Sequence, residues 1–436
     1  MSSTEILIIM FGGLSLFLLT GLPVAFVLGG LSVLFTVMFW NSSALVVVVL
    51  QMFDTMHSEA LLGIPLYIFM ALLLQRSEVI KDLYRAMELW FGRVRGGLAI
   101  GTVVICLIMA AMTGVVGAAV TAMGILALPE MLKRGYDPRL ATGTICASGT
   151  LGILIPPSVL TIVYSVTAQV SIGKMLIAGI VPGILLGGLY IAYIVVVSIF
   201  MPDRVPNPKD VRRASWGEKF RSLWTLILPG LIIVMVLGSI FFGVATPTEA
   251  AAVGVFGAAI AALTRGNLTF AALGDTAIGT LKVSGMILWI TLGAKAYVAI
   301  FTGLGGADTL LGLLEGLDAN PYVVLALMML ILVFLGTVLD EIGIILLTVP
   351  VFLPVVQFYG FDPIWFGVLF AVTIQMGYIS PPFGYTLFYI KGTLPREMGM
   401  GTVYRGIAPF FLLQFIGLLI CVAFPGIVTW LPELAR

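Results

Sequence analysis

The chain has 436 residues, of which 60% are apolar and 10% are charged, with a formal net charge of +1. Soluble domains are about 45–50% apolar and about 25% charged, so the composition predicts a polytopic membrane protein and gives no sign of nucleic-acid binding. The three cysteines lie in apolar runs and the single histidine, His57, lies at a predicted loop or helix end, which argues against a disulfide framework, a metal cluster and an enzyme's catalytic triad.

Ten apolar runs predict membrane spans. In chain order they cover residues 5–20, 22–39, 59–75, 140–168, 174–200, 223–243, 248–264, 281–302, 364–390 and 407–430. The first run is preceded by Glu5 and by no Lys or Arg, so it lacks the basic start of a signal peptide.

Residues 76–95 have an amphipathic helical pattern. Their apolar face holds Leu83, Met87, Trp90 and Phe91, opposite the charged positions. The pattern predicts an interfacial helix that links a scaffold to a moving part. A plain solvated connector is the alternative.

Two further apolar stretches, 97–130 and 321–354, have small polar residues in the middle. The interruptions are Met112-Thr-Gly114 and Gly336-Thr337, with Asp340 just after the second. A full span needs about 20 residues, so two complete spans in each stretch would be squeezed for length. We predict that each stretch is a re-entrant hairpin of two shorter helices that meet at a tip.

The same unit occurs twice in the chain, at an offset of 225 residues. A Pro-Pro pair interrupts each of the apolar runs 140–168 and 364–390. Matching Gly, Pro-Pro, Thr and Tyr positions are Gly152 and Gly377, Pro156-Pro157 and Pro381-Pro382, Thr161 and Thr386, and Tyr164 and Tyr389. One chain therefore carries two structural repeats.

Each Pro-Pro pair predicts a broken helix, because proline removes a backbone donor and clashes with the preceding turn. In hydrocarbon, unpaired carbonyls are costly, so broken helices persist where they line a cavity in the protein. Freed carbonyls can hold a small cation, and the amide ends of half-helices can hold an anion. Paired interruptions in two halves of a chain indicate a transporter site. A helix kinked only for packing is the alternative.

Basic residues concentrate in the loops 76–95, 130–139 and 202–222, whereas 303–320 and 355–363 contain no Lys or Arg. If the first hairpin re-enters the membrane, the three basic loops share one side, which the positive-inside rule makes cytoplasmic. The two loops without basic residues are then external. We therefore predict that the second repeat is inverted relative to the first and that both termini are periplasmic.

Polar groups are few within the apolar segments, and such groups are functional candidates by default. Asp340 and Glu341 follow the second hairpin tip, and Glu249 lies in the first turn of a helix that begins at a proline, where it fits helix-start chemistry. Lys295 either snorkels toward the outer face or pairs with a carboxylate. Polar side chains flank the glycine of each broken helix: Thr150, Ser158, Gln375 and Ser380.

Three motifs carry a family resemblance: Thr246-Pro-Thr-Glu-Ala-Ala-Ala252, Gly149-Thr-Leu-Gly-x-x-Ile-Pro-Pro-Ser158, and Gly336-Thr-Val-Leu-Asp340 with the later Pro350 and Pro354. Together they resemble the large membrane subunit of TRAP transporters, the DctM-like family, over essentially the whole chain. The resemblance implies a Na⁺-driven importer of organic acids that works as an elevator. It also implies a small four-helix membrane subunit and a soluble periplasmic substrate-binding protein as partners.

The resemblance further implies that the hairpin tips and broken helices form the ion and substrate sites. The positions expected at Na⁺ are Thr113, Gly114, Gly149, Thr150, Gly336, Thr337, Asp340 and Gly377. Those expected at the substrate are Thr113, Thr150, Gly152, Pro156, Pro157, Ser158, Asp340, Gln375, Gly377, Ser380, Pro381, Pro382 and Thr386. Many members have a Ser-rich first tip, whereas this chain has Thr113-Gly-Val-Val-Gly117, which favours backbone carbonyls over side chains there.

The predicted fold is an all-α polytopic membrane protein with two inverted repeats and an elevator-type division into scaffold and transport domain. The predicted parts are the scaffold helices 1–75 and 223–302, the arms 76–96 and 303–320, the transport halves 97–168 and 321–390, the connecting span 169–200, the cytoplasmic loop 201–222 and the C-terminal span 391–436.

The predicted function is Na⁺-coupled import of a small carboxylate across a bacterial inner membrane. Na⁺ is favoured over protons because the site offers many backbone and hydroxyl oxygens, only one or two carboxylates and no histidine. The alternatives are a stand-alone Na⁺- or H⁺-coupled anion transporter of similar architecture, a channel, and a membrane anchor without a solute site.

Overall fold

A computed structural model describes residues 3–77, 79–206, 214–317, 320–381 and 383–435. Regular structure in these ranges is helical, and they contain no strand. The helices of the first half are α1 (Ser3–Leu19), α2 (Val24–Phe35), α3 (Leu45–Met56), α4 (Glu59–Arg76), α5 (Val79–Phe91), α6 (Gly97–Thr113), α7 (Val116–Lys133), α8 (Pro138–Gly149), α9 (Val159–Ala168), α10 (Ile172–Ala178) and α11 (Ile180–Phe200). Those of the second half are α12 (Trp216–Phe241), α13 (Pro247–Thr264), α14 (Phe270–Gly303), α15 (Gly306–Leu317), α16 (Pro321–Gly336), α17 (Glu341–Phe358), α18 (Pro363–Tyr378), α19 (Tyr385–Lys391), α20 (Met400–Ala423) and α21 (Gly426–Leu434).

Among the described residues, six helices are long and apolar enough to cross a membrane, and two bent helix pairs raise the number to eight. The six are Val116–Lys133, Ile172–Phe200 (α10 and α11 taken together), Pro247–Thr264, Phe270–Gly303, Glu341–Phe358 and Met400–Ala423. The prediction of an all-α polytopic membrane protein is confirmed.

Several span predictions were wrong in detail. Helix α3 was missed, because its four consecutive valines lack a clear helical signature. Helix α14 begins at Phe270, well before the predicted 281, because the Thr269 hydroxyl caps its start and Asp275 and Lys282 obscure the apolar pattern. The last predicted span runs through a break at Phe424 that separates α20 from α21.

Helix boundaries in the two halves recur at the offset of the sequence repeat. Val116 and Glu341 begin α7 and α17, and Pro138 and Pro363 begin α8 and α18, each pair 225 positions apart. Packing between the halves is reciprocal, since α9 packs against α17 and its counterpart α19 packs against α7. The two halves therefore contain the same series of elements, and the second part of each broken helix packs against the hairpin of the other half.

Both interrupted stretches form two helices joined by a short turn, as predicted. Helices α6, α7, α16 and α17 contain 17, 18, 16 and 18 residues. At 1.5 Å per residue each is roughly 25 Å long. Helices α7 and α17 are among the candidate membrane spans, whereas α6 and α16 are shorter than these. That these helix pairs re-enter the membrane from one side stays a prediction.

The amphipathic stretch after α4 forms the separate helix α5. Its residues Leu83 and Met87 are buried, with α6 and α12 packed against the helix. Its charged face is tied to other elements, since Glu88 pairs with Arg134 at the end of α7 and Asp82 pairs with Arg265 after α13. Helix α5 thus connects the first hairpin to helices of the second half, while its place at the membrane interface stays a prediction.

Candidate functional site

The tip of the first hairpin lies against the first broken helix. Helix α6 ends at Thr113, Gly114 adopts a left-handed conformation with φ +59°, and α7 begins at Val116. A Cβ atom on Gly114 would overlap the carbonyl oxygen of Pro157, so only glycine permits this approach. The Thr113 hydroxyl donates to the Met109 carbonyl of its own helix at 2.9 Å. The part of the tip that approaches the Pro-Pro segment is the backbone at Gly114.

The first Pro-Pro pair breaks its helix as predicted. Helix α8 ends at Gly149, one 3₁₀ turn covers Thr150–Ile153, and helix α9 begins only at Val159. Ser158 caps α9, because its hydroxyl oxygen accepts the Thr161 N–H at 3.4 Å. The Pro157 carbonyl and the backbone of Ser158 at the start of α9 therefore lie against the tip of the first hairpin. The carbonyls of Ile153 and Leu154 are directed elsewhere, to the Ser158 hydroxyl and toward Gly179.

The tip of the second hairpin meets the second broken helix through two glycines. A Cβ atom on Gly377 would lie 2.7 Å from the Cα of Gly336, so the two backbones are in direct contact. The Tyr378 hydroxyl accepts the Glu341 N–H at 2.7 Å and donates to Glu341 Oε2 at 2.8 Å. Asp340 caps α17, with Oδ2 accepting the Gly343 N–H at 3.4 Å. Asp340 thus has a helix-start role at the tip.

The second broken helix is interrupted between Tyr378 and Tyr385. The Thr386 hydroxyl donates to the Tyr378 carbonyl at 2.9 Å, and the Ser380 hydroxyl donates to the Met376 carbonyl at 2.6 Å. Pro381 is exposed, and Pro382 lies outside the described residues. Two of the predicted hydroxyls therefore satisfy carbonyls of the interrupted helix.

The two broken helices meet through side chains at equivalent positions of the repeat. The Thr150 hydroxyl donates to the Ala147 carbonyl at 2.7 Å and has Gln375 Oε1 as a second, longer acceptor at 3.3 Å. Thr150 and Gln375 are 225 positions apart. Gln414 of α20 joins them, with Nε2 donating to the Thr150 hydroxyl at 3.1 Å and to the Tyr190 hydroxyl of α11 at 2.9 Å. All four side chains are fully buried. This buried network was missed in the sequence, although a glutamine inside an apolar span is a signal that could have revealed Gln414.

Some polar atoms around this network have no partner among the described residues. They are Gln375 Nε2, Gln414 Oε1 and the hydroxyl oxygens of Thr144 and Ser148. A buried polar atom without a hydrogen bond costs about 1–3 kcal/mol. Such a concentration beside the broken helices is the pattern expected where a polar ligand, an ion or water is held.

The structure brings the predicted residues together as two groups. The first comprises Thr113, Gly114, Gly149, Thr150, Gly152, Pro156, Pro157 and Ser158. The second comprises Gly336, Thr337, Asp340, Gln375, Gly377, Ser380, Pro381 and Thr386. The Thr150–Gln375 hydrogen bond joins the groups.

Three other polar residues have structural partners. Glu249 forms a capping box with Thr246 at the start of α13. Lys295 pairs with Asp54, with 2.7 Å between Nζ and Oδ2, which decides between the two options that the sequence left open. His57 is exposed at the end of α3, as expected.

We expect Gln414→Leu to lower the free energy of unfolding by about 1–3 kcal/mol, because it removes two hydrogen bonds and leaves the Thr150 and Tyr190 hydroxyls without that partner. The measurement is the thermal unfolding midpoint of the purified full chain. Gln357→Leu is the control, because Gln357 is exposed at the end of α17. Equal midpoints for the two variants would show that the network contributes nothing to stability.

Comparisons with known proteins identify the family of this chain. The sequence profile described as "Tripartite ATP-independent periplasmic transporter, DctM component" matches residues 11–427. The C4-dicarboxylate TRAP transporter large permease protein DctM of Pseudomonas aeruginosa is 31% identical over 93% of each chain. The ectoine/5-hydroxyectoine TRAP transporter large permease protein UehC of Ruegeria pomeroyi is 31% identical over 96% of each chain.

A solved structure shares the fold at low sequence identity. The YdaH transporter of Alcanivorax borkumensis superposes with a TM-score of 0.64 at 16% identity, over 92% of this chain and 97% of that one. The match supports the architecture alone, while the profile and the sequence relatives fix the family. The chain belongs to the DctM family, the large membrane component of tripartite ATP-independent periplasmic transporters.

Proposed function

We propose that this chain is the permease subunit of a Na⁺-coupled, binding-protein-dependent transporter that imports a small organic acid across a bacterial inner membrane. The observation that carries the proposal is the pair of broken helices, each in backbone contact with a hairpin tip. Interrupted helices at corresponding places in two halves are typical of transporter sites, where unwound carbonyls hold Na⁺ and amide ends hold the substrate.

The substrate proposed is a carboxylate. The amide ends of α9 and α19 favour an anion, and the predicted site residues include no Lys or Arg. The names of the relatives support this class, since one is named for C4-dicarboxylates and another for ectoine. A small four-helix membrane subunit and a periplasmic binding protein are the partners proposed.

The motion proposed is an elevator, in which the two hairpins and two broken helices move together against a scaffold. The reciprocal packing of α9 on α17 and α19 on α7 supports this unit, as does the buried network at its centre. Helix α5, tied to both the first hairpin and the second half, is suited to act as the connecting arm.

The experiment starts from the binding protein, because its ligand defines the solute to be measured. The acid that most stabilises that protein against thermal unfolding is labelled and offered to proteoliposomes that hold this chain. We expect little uptake with this chain alone, and at least about tenfold more when the small subunit and binding protein are added, which corresponds to about 1.4 kcal/mol in the barrier. Full uptake by this chain alone would instead support the stand-alone transporter.

Inverted repeats make a separate prediction about the loops 130–139 and 355–363. Single cysteines placed in each, in a chain without Cys106, Cys146 and Cys421, should react with an impermeant thiol reagent from opposite faces of the membrane. The expectation follows from the basic residues of the first loop and their absence from the second. Labelling of both from the same face would rule out the inversion.

A further inference from the structure

A cavity of about 200 Å³ lies where α8 begins and α11 ends, beside the first turns of α20. Three arginines line it: Arg139 in the first turn of α8, Arg204 just after α11, and Arg405 near the start of α20. It is remote from the predicted site residues of the first broken helix, because on α8 these begin at Gly149, the last residue of the helix. Ten residues separate Gly149 from Arg139, which is roughly 15 Å along the helix.

The cavity carries a surplus of positive charge. Asp137 is a nearby acid, with Oδ1 accepting the backbone N–H of Arg139 at 2.8 Å and Oδ2 lying 3.8 Å from Arg204 Nε. Neither Arg139 nor Arg405 pairs its side chain with a carboxylate among the residues that the structure describes. Among the described residues that line the cavity, three are arginines and none is acidic, which leaves a surplus of positive charge for a ligand. Guanidinium groups bind phosphate through paired N–H donors.

The remaining wall is largely apolar, and exposed apolar side chains continue from it along α11 and α20. Tyr193 of α11 and Pro409 of α20 line the cavity, and the Tyr193 ring packs edge-on against Phe410. Beyond the cavity, the same two helices expose large apolar side chains: Val196, Ile199, Phe200 and Leu412. A ligand with a charged head and an apolar tail matches both parts.

We propose that this cavity binds the phosphate headgroup of an anionic phospholipid, with the acyl chains lying along α11 and α20. Basic pockets between membrane helices are typical sites for such headgroups. The three basic loops predicted to be cytoplasmic include the residues on either side of the cavity, so the lipid comes from the cytoplasmic leaflet. The proposal does not depend on the substrate or on the coupling ion.

The test uses the purified full chain in detergent, titrated with dioctanoyl-phosphatidylglycerol, dioctanoyl-phosphatidylcholine, glycerol 3-phosphate or succinate. The thermal unfolding midpoint is measured at each concentration. We expect phosphatidylglycerol to raise the midpoint saturably, and phosphatidylcholine and glycerol 3-phosphate to leave it unchanged. Any effect of succinate belongs to the proposed transport site and should not change when the cavity arginines are replaced. In the double variant Arg139→Gln/Arg405→Gln, half-saturation should need about 25-fold more phosphatidylglycerol, since each basic group near an anionic headgroup contributes a factor of about five.

The charge-matched control is Arg93→Gln/Arg396→Gln, because both arginines are exposed and lie outside the cavity. It should respond to phosphatidylglycerol as the unaltered chain does. An equal response of the two double variants would overturn the proposal. So would an equal effect of phosphatidylcholine, a full effect of glycerol 3-phosphate, or an effect of succinate that is lost in Arg139→Gln/Arg405→Gln. These results would indicate, in that order, a non-selective lipid surface, a soluble-phosphate site and an organic-acid site in the cavity. If the double variant fails to fold, the headgroup selectivity of the unaltered chain and of Arg405→Gln alone decides the question.

Discussion

Gly114→Ala is expected to lower the apparent Na⁺ affinity of the purified chain by at least about tenfold, equivalent to about 1.4 kcal/mol. The added methyl group would overlap the Pro157 carbonyl oxygen, so the tip must withdraw from the unwound segment. If the backbone oxygens of both elements hold the ion, their separation opens the site. The measurement is binding of radioactive Na⁺ to the full chain in a scintillation proximity assay.

Gly135→Ala is the matched control for this variant. Gly135 also has a positive φ, +84°, but nothing lies within 4 Å of the position that its Cβ would occupy. Alanine at a left-handed position costs roughly 1–2 kcal/mol in either variant. This backbone strain should therefore lower the unfolding midpoint of both variants by a similar amount. Na⁺ binding should survive in Gly135→Ala alone. Equal Na⁺ affinity in both variants would show that the contact between tip and Pro-Pro segment has no part in ion binding.

Gly377→Ala should abolish solute uptake by the complete three-component system, because its methyl group would lie 2.7 Å from the Cα of Gly336 and 2.9 Å from the Val333 carbonyl oxygen. Both are backbone atoms of α16, so they cannot yield without moving that helix. Gly336→Ala should be milder, since its nearest contact is 3.0 Å. The measurement is initial uptake rate together with the unfolding midpoint.

The helical control for this pair is Gly188→Ala in α11, where nothing lies within 4 Å of the added Cβ. Alanine favours a helix over glycine by about 0.5–1 kcal/mol, so this control should keep full uptake and at least the original midpoint. Uptake in Gly377→Ala at the level of Gly188→Ala would mean that the second hairpin tip can move away from α18 without consequence for transport.

Local chemistry explains why much of this fold could be predicted from the sequence. Asp137-Pro138 and Asp362-Pro363 combine a capping carboxylate with a proline at the first helical position, and both helices start there. The Pro-Pro pairs interrupt helices because proline removes a backbone donor whatever its surroundings. These features depend on a few neighbouring residues, so the helix starts and breaks could be read directly.

The contacts that join distant parts of the chain could not be predicted in the same way. The buried network brings together four segments of the chain, through Thr150, Tyr190, Gln375 and Gln414. The local sequence around each residue does not indicate which residues it contacts. The same holds for Lys295, whose partner Asp54 belongs to the helix that the sequence analysis missed. The three arginines of the cavity where α8 begins and α11 ends likewise come together only when α8, α11 and α20 pack.

Coupling to Na⁺ is tested most directly by uptake into proteoliposomes that contain this chain, the small subunit and the binding protein, with either a Na⁺ gradient or a pH gradient applied alone. The solute is the acid that stabilises the binding protein. Because Asp340 serves as a helix cap at the second tip, we expect Asp340→Asn to reduce uptake without changing the driving ion. The account predicts uptake with the Na⁺ gradient at fixed pH and none with the pH gradient in the absence of Na⁺. Uptake driven by the pH gradient without Na⁺, and abolished by Asp340→Asn, would contradict it.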